Sequence, residues 1–134
     1  MRNSDFARKS YAFAVRIVNL VKWLHEKNEY VLSKQVLRSG TSIGAMIRES
    51  EHAESDADYI HKLSVALKEA NETEYWLSLL KDTNYIDKKQ HASVDKDCQE
   101  LKKLLVSSIK TLKINLAKKK KNKTVEQTEQ IEQA

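Results

Sequence analysis

Proline is absent from this sequence, glycine occurs twice and cysteine once. With so little turn punctuation, a fold of many strands and tight turns is disfavoured. A lone cysteine, Cys98, excludes an internal disulfide and fits a reducing cytoplasm. It lies on an apolar helical face, without a histidine at helical spacing, and reads as a small core residue rather than a nucleophile. No run approaches the ~20 apolar residues of a membrane span, and the polar start carries no signal-peptide pattern. No glycine-rich loop is available to cradle a phosphate.

What remains is the composition of one soluble helical domain: 134 residues, 40% hydrophobic and 32% charged. The net charge is +5. From Ala117 to Ala134 five lysines stand against three glutamates, and the rest of the chain is only mildly basic. Such a balance is compatible with nucleic acid without selecting it.

Hydrophobic periodicity predicts four helices. The first, from Phe6 or Ala7 to Lys27, carries one apolar row at Tyr11, Ala14, Val18 and Val21 and a second at Phe13, Ile17, Leu20 and Leu24. That is wider than one surface helix needs. Asn28 suits a left-handed C-terminal residue, and Ser33 suits the N-cap of the second helix, with Val36, Gly40, Ile43 and Ile47 on one face. Ser55-Asp56-Ala57-Asp58 reads as the start of a third helix running to about Asp82, ended by Asn84. The fourth spans about Val94 to Leu116, with a seam of Val94, Cys98, Leu101, Leu105, Leu112 and Leu116. These elements predict an all-α antiparallel up-down-up-down bundle over residues 1–117. Residues 118–134, basic and then rich in Glu and Gln, read as a frayed or disordered tail.

Both glycines fall in the second helix, four residues apart at Gly40 and Gly44, and so on one face. Each costs roughly 1 kcal/mol relative to alanine, so the pair implies a close approach of another backbone. With the turn centred near Ser55, facing residues of the second and third helices have numbers summing to about 110. Gly40 then meets Ala70, Gly44 meets Ala66, and Arg38 faces Glu72 with Glu69 one turn away. If that ion pair is buried, breaking it costs ~3–5 kcal/mol; if exposed, little.

The run Leu37-Arg38-Ser39-Gly40-Thr41-Ser42-Ile43-Gly44-Ala45 is followed by Glu49 and Ala53, then Lys62-Leu63. Ala66-Leu67-Lys68-Glu69-Ala70, Glu72-Thr73 and Tyr75-Trp76-Leu77 come next. This order closely resembles the four-helix-bundle proteins of the 23S rRNA intervening-sequence family, sometimes labelled ribosomal. The family is related to the accessory variability protein of diversity-generating retroelements. The resemblance covers about residues 11–86, and Met46-Ile47 departs from an Asn-Ile pair frequent in the family. It implies a homopentameric barrel and an association with RNA or a reverse transcriptase. It supplies no catalytic residues and no cofactor.

Candidate sites are few. Glu49-Ser-Glu-His52 and Asp58-Tyr-Ile-His61 imitate the paired motifs of di-iron bundles, but both lie at one end and the other helices offer too few acids. Lys103, Lys110 and Lys113 project from the leucine seam and, with Lys118, Lys119, Lys120 and Lys121, form the candidate nucleic-acid contact. Tyr11, Tyr59, Tyr75 and Trp76 lie beside apolar rows and suit a core or subunit interface better than base stacking. The packing and ion-pair motif comprises Arg38, Gly40, Ile43, Gly44, Ala66, Glu69, Ala70, Glu72 and Trp76. These readings lead first to a non-enzymatic, oligomeric, cytoplasmic nucleic-acid-associated protein. A protein–protein adaptor comes second, and a metal-dependent enzyme last.

Overall fold

The turns are built without proline or glycine, by asparagine and by side-chain caps. The computed structural model describes residues 4–133, which form α1 (Ser4–Glu26), α2 (Leu32–Ser50), α3 (Asp56–Asp82) and α4 (Lys88–Gln133), with no strand among them. Asn28 after α1 takes φ 62° and Asn84 after α3 takes φ 67°, the left-handed conformation expected of both. Ser55 caps α3, its hydroxyl accepting from the Asp58 N–H at 3.0 Å.

The start of α2 corrects the sequence reading. Ser33 is not its N-cap but lies inside the helix, fully buried. The cap is Glu29, itself 5% exposed, whose carboxylate accepts from the N–H groups of Val31, Leu32 and Ser33 at 3.0, 3.1 and 2.6 Å. A carboxylate there satisfies orphan donors and meets the positive end of the helix dipole. α4 likewise starts at Lys88 rather than Val94. Gln90 N–H donates to Asp87 Oδ1 at 2.7 Å and Asp87 N–H to Gln90 Oε1 at 2.9 Å, a reciprocal cap that holds the first turn.

Consecutive helices pack side by side, α1 also touches α4, and the diagonal pairs do not meet. Lys9–Glu100 and Arg16–Asp97 run in opposite directions along α1 and α4, as Lys102–Glu74 and Lys119–Asp56 do along α3 and α4. The remaining connections are short enough to force reversal, so the fold is an all-α four-helix bundle. Its centre is Phe13, Ile17 and Leu24 from α1, Val36 and Ile43 from α2, Leu63, Leu77 and Leu80 from α3, and Leu105 from α4. Each such side chain contributes roughly 1.5–3 kcal/mol when buried. Cys98 belongs to this core, and burial pushes its thiol up to about 12, leaving it neutral and unreactive.

The glycine notch exists, but it faces α1 rather than α3. A Cβ at Gly40 would stand 2.8 Å from Ile17 Cγ1, and one at Gly44 would stand 3.3 Å from the Ser10 carbonyl oxygen. Ala66 and Ala70 are fully buried in α3, and Ser39 supplies the local contact from α2, its hydroxyl accepting from Thr73 Oγ1 at 2.9 Å. The reason is rotational. The face that carries the glycines points into the α1 side of α2, and the neighbouring face carries Arg38 and Ser39 towards α3.

The tail reading also changes. Residues 118–133 are helical, a direct continuation of α4. They contain no helix breaker and are dominated by Lys, Glu and Gln, which are good helix formers. Every side chain from Ala117 to Gln133 is exposed, so propensity and not a core holds this stretch. At 1.5 Å per residue it adds roughly 25 Å to α4.

Candidate nucleic-acid interface

The face of α4 opposite its core seam carries lysine every seven residues, at Lys89, Lys96, Lys103 and Lys110. Seven residues are close to two helical turns, so these side chains form a nearly straight row with steps of about 10 Å. All four are exposed, and none has an ion-pair partner among the described residues. The acids of α4 turn elsewhere. Asp97 holds Arg16 at 2.8 Å and Glu100 holds Lys9 at 2.6 Å, both towards α1. Arg16 also donates to the Ser93 carbonyl at 3.0 Å and to the Ser93 hydroxyl at 2.8 Å. On the α3 side Lys102 meets Glu74, and this bond, then one from Gln99, holds the Glu74 carboxyl below its ordinary value. The outward face is therefore left with unneutralised positive charge.

Among the sequence candidates, Lys103 and Lys110 belong to this row and Lys113 flanks it, all exposed. Lys118, Lys120 and Lys121 stand exposed on the extension, whereas Lys119 bends to Asp56 at the start of α3, at 3.1 Å. The heptad spacing of Lys96, Lys103 and Lys110 falls inside the predicted fourth helix, and it reaches back to Lys89 once α4 is known to begin at Lys88.

The packing motif is a separate place, on the seam between α2 and α3. Arg38 bonds both Glu69, at 3.2 Å, and Glu72, and the Trp76 indole N–H donates to the same Glu72 carboxylate at 3.2 Å. The Arg38 side chain is 49% exposed, so the cluster lies at the edge of the bundle and not inside it. Ile43 of the same helix is fully buried in the core. Tyr75 packs edge-on against Trp76 but is itself exposed, as are Tyr11, Val15 and Val18 along the outer side of α1, while Tyr59 is buried. Of the first apolar row of α1, Tyr11 and Val18 thus face outwards while Val21 joins the core, and the second row fills the core with Phe13, Ile17 and Leu24.

Glu49, His52 and Asp58 line one shallow depression with Glu54 and Lys62, and His61 is not part of it. Among the described residues no group of three His, Cys, Asp or Glu side chains could hold a metal ion. No helix of the described residues is long and apolar enough to cross a membrane.

Fold and surface together define a small all-helical bundle protein whose most distinctive face is a lysine row. Residues 2–107 match the family of 23S rRNA-intervening sequence proteins, and the chain belongs to that family. It is also similar to a solved protein of unknown function of the S23 ribosomal protein family from Bacteroides thetaiotaomicron. The two are 61% identical, with a TM-score of 0.77 over 78% of this chain and 98% of that one. No curated protein matches. The family match ends at residue 107, inside α4, so Lys89, Lys96 and Lys103 fall within it and Lys110 onwards falls beyond.

Proposed function

We propose that this protein is a non-enzymatic, homo-oligomeric nucleic-acid-associated protein that binds RNA mainly by electrostatics. The observation that carries this reading is the row Lys89, Lys96, Lys103 and Lys110, free of acidic partners among the described residues. A phosphate backbone laid along α4 meets a positive charge about every 10 Å, and each contact releases counterions. On the extension, Lys121 continues this line, with Lys118 and Lys120 to either side of it. Nothing in such a row reads base edges, so little sequence preference is expected. Self-association, with a pentamer as the resemblance implies, is supported by the exposed Tyr11, Val15 and Val18 on α1. Repetition by symmetry would multiply the phosphate contacts. A cytoplasmic setting suits the lone, reduced Cys98.

The same exposed α1 stripe favours a second reading, an adaptor that docks another polypeptide such as a reverse transcriptase. Retardation of structured rRNA fragments as a function of salt separates the two. The nucleic-acid reading expects binding that weakens steeply with salt, and a log–log slope smaller by about two in Lys103→Glu/Lys110→Glu. Absence of retardation at low salt would instead support the adaptor.

A further inference from the structure

Where α4 outruns the start of α1, it forms one wall of a groove of about 760 Å³. This part of α4 begins at residue 107, where the family match stops, so the groove belongs largely to the added stretch. Its floor is apolar, made by Phe6, Tyr59, Leu112 and Leu116. One wall is polar, with the hydroxyls of Ser107, Ser108 and Thr111 and the amide of Asn115. Asp56, Lys118 and Lys119 complete the lining, and Lys119 is paired with Asp56 at 3.1 Å, which leaves Lys118 as the unpaired cation of the rim among the described residues.

Many helical Ser and Thr of this chain donate back to their own helix, as Thr41 does to Leu37 O at 2.7 Å, Ser64 to Ile60 O at 2.8 Å and Thr124 to Lys120 O at 3.0 Å, and the groove hydroxyls, like that of Ser78, do not. Among the described residues, Ser107, Ser108, Thr111 and Asn115 have no hydrogen-bond partner. Four open polar groups above an apolar floor disfavour an acyl chain, which would strip their water and return no bonds. A nucleobase meets both demands, with a π-face for the floor and donors and acceptors along its edge. Lys118, left unpaired while Lys119 holds Asp56, suits the phosphate attached to it.

We propose that this groove holds one unpaired nucleotide of a structured nucleic acid, its base on Leu112 and Leu116, its edge bonded by Thr111 and Asn115, its phosphate on Lys118. The inference rests on the nucleic-acid reading above and adds to it a preference for bulged over fully paired strands.

The test uses the full chain and two RNA hairpins that differ by a single bulged nucleotide, with binding followed by fluorescence anisotropy. The bulged hairpin should bind about tenfold more tightly. Thr111→Val/Asn115→Leu, at two exposed positions, should abolish that preference while leaving affinity for the paired hairpin and its salt dependence unchanged. Equal affinity of the unaltered protein for both hairpins overturns the groove assignment and leaves the electrostatic reading standing. So does a preference that survives the double substitution. Failure to bind either hairpin sinks both. The same pair made of DNA shows which sugar the groove accepts, and a bulge preference with either backbone supports the assignment.

Discussion

Gly40 of α2 lies against Ile17 of α1 so closely that an added methyl group would stand 2.8 and 2.9 Å from the two γ carbons. Ile17 is fully buried, and its branched side chain has little freedom to move aside. Two effects oppose each other in Gly40→Ala. Helix propensity gains roughly 1 kcal/mol, whereas overpacking costs about 1–3 kcal/mol. Overpacking should win, with a net loss of about 1 kcal/mol in urea denaturation. In an Ile17→Ala background the same substitution should become stabilising, and no change of sign would show that Ile17 is not the obstacle.

The Arg38 cluster invites a smaller number than a buried pair would. Its guanidinium is half exposed, with Glu69 and Glu72 more enclosed. Solvent screening therefore limits Arg38→Ala to about 1 kcal/mol. Chemical denaturation followed by Trp76 fluorescence reads both the loss and the altered setting of the indole. A loss of ~3 kcal/mol or more would mark the pair as functionally buried.

Glu29 serves three N–H groups that have no other acceptor in the first turn of α2. Glu29→Ala should cost about 2 kcal/mol, in the upper range for a lost cap. Ser33→Ala should cost less, because Ser33 donates one bond to the Glu29 carbonyl and caps nothing. The reverse order in thermal unfolding would restore Ser33 as the cap.

Glu74 supplies a pH signature. Its carboxyl is held below 4.5 in the folded chain, first by the bond from Lys102 and then by that from Gln99. The unfolded chain therefore takes up the proton first on acidification. The associated stability is present above about pH 4.5 and is lost as pH falls through the lower folded value. Lys102→Met should flatten that part of the stability–pH curve, and an unchanged slope would assign the acid sensitivity to other carboxylates.

Removing residues 118–134 should leave the thermal midpoint of the bundle within a few degrees of the intact chain, because the described side chains beyond Leu116 are all exposed. The helical circular-dichroism signal should fall by the share those residues hold, and RNA affinity should weaken. A large drop in the midpoint would reveal packing of the extension against the bundle.

The bundle was legible in the sequence because two independent signals agreed: apolar seams at helical period and asparagine stops at Asn28 and Asn84. The α2–α3 register was legible from one turn, which sets Arg38 beside Glu72. The partner of the glycines was not, since spacing alone gives a face of α2 without saying which neighbour that face meets. Glu29 escaped notice because it caps from outside the helix, with a long side chain reaching forward to the first-turn N–H groups. Asp87 and Gln90 did carry a readable signal, an acid followed three residues later by glutamine. The lysine row was largely legible, as only Lys89 precedes the point where apolar periodicity places the start of α4. Nothing in the apolar pattern could announce an extension that buries no side chain.

The side of the bundle where α1 meets α4 is the most lightly packed of the four, and Arg16–Asp97 and Lys9–Glu100, both partly exposed to solvent, span it. Charges in that setting weaken as ionic strength rises, while the oily seams on the other sides hardly respond. The molecule thus resembles a folded screen whose last panel is latched rather than glued. High salt should let that panel swing before the hinges loosen, and amide protons along the α1–α4 margin should exchange first.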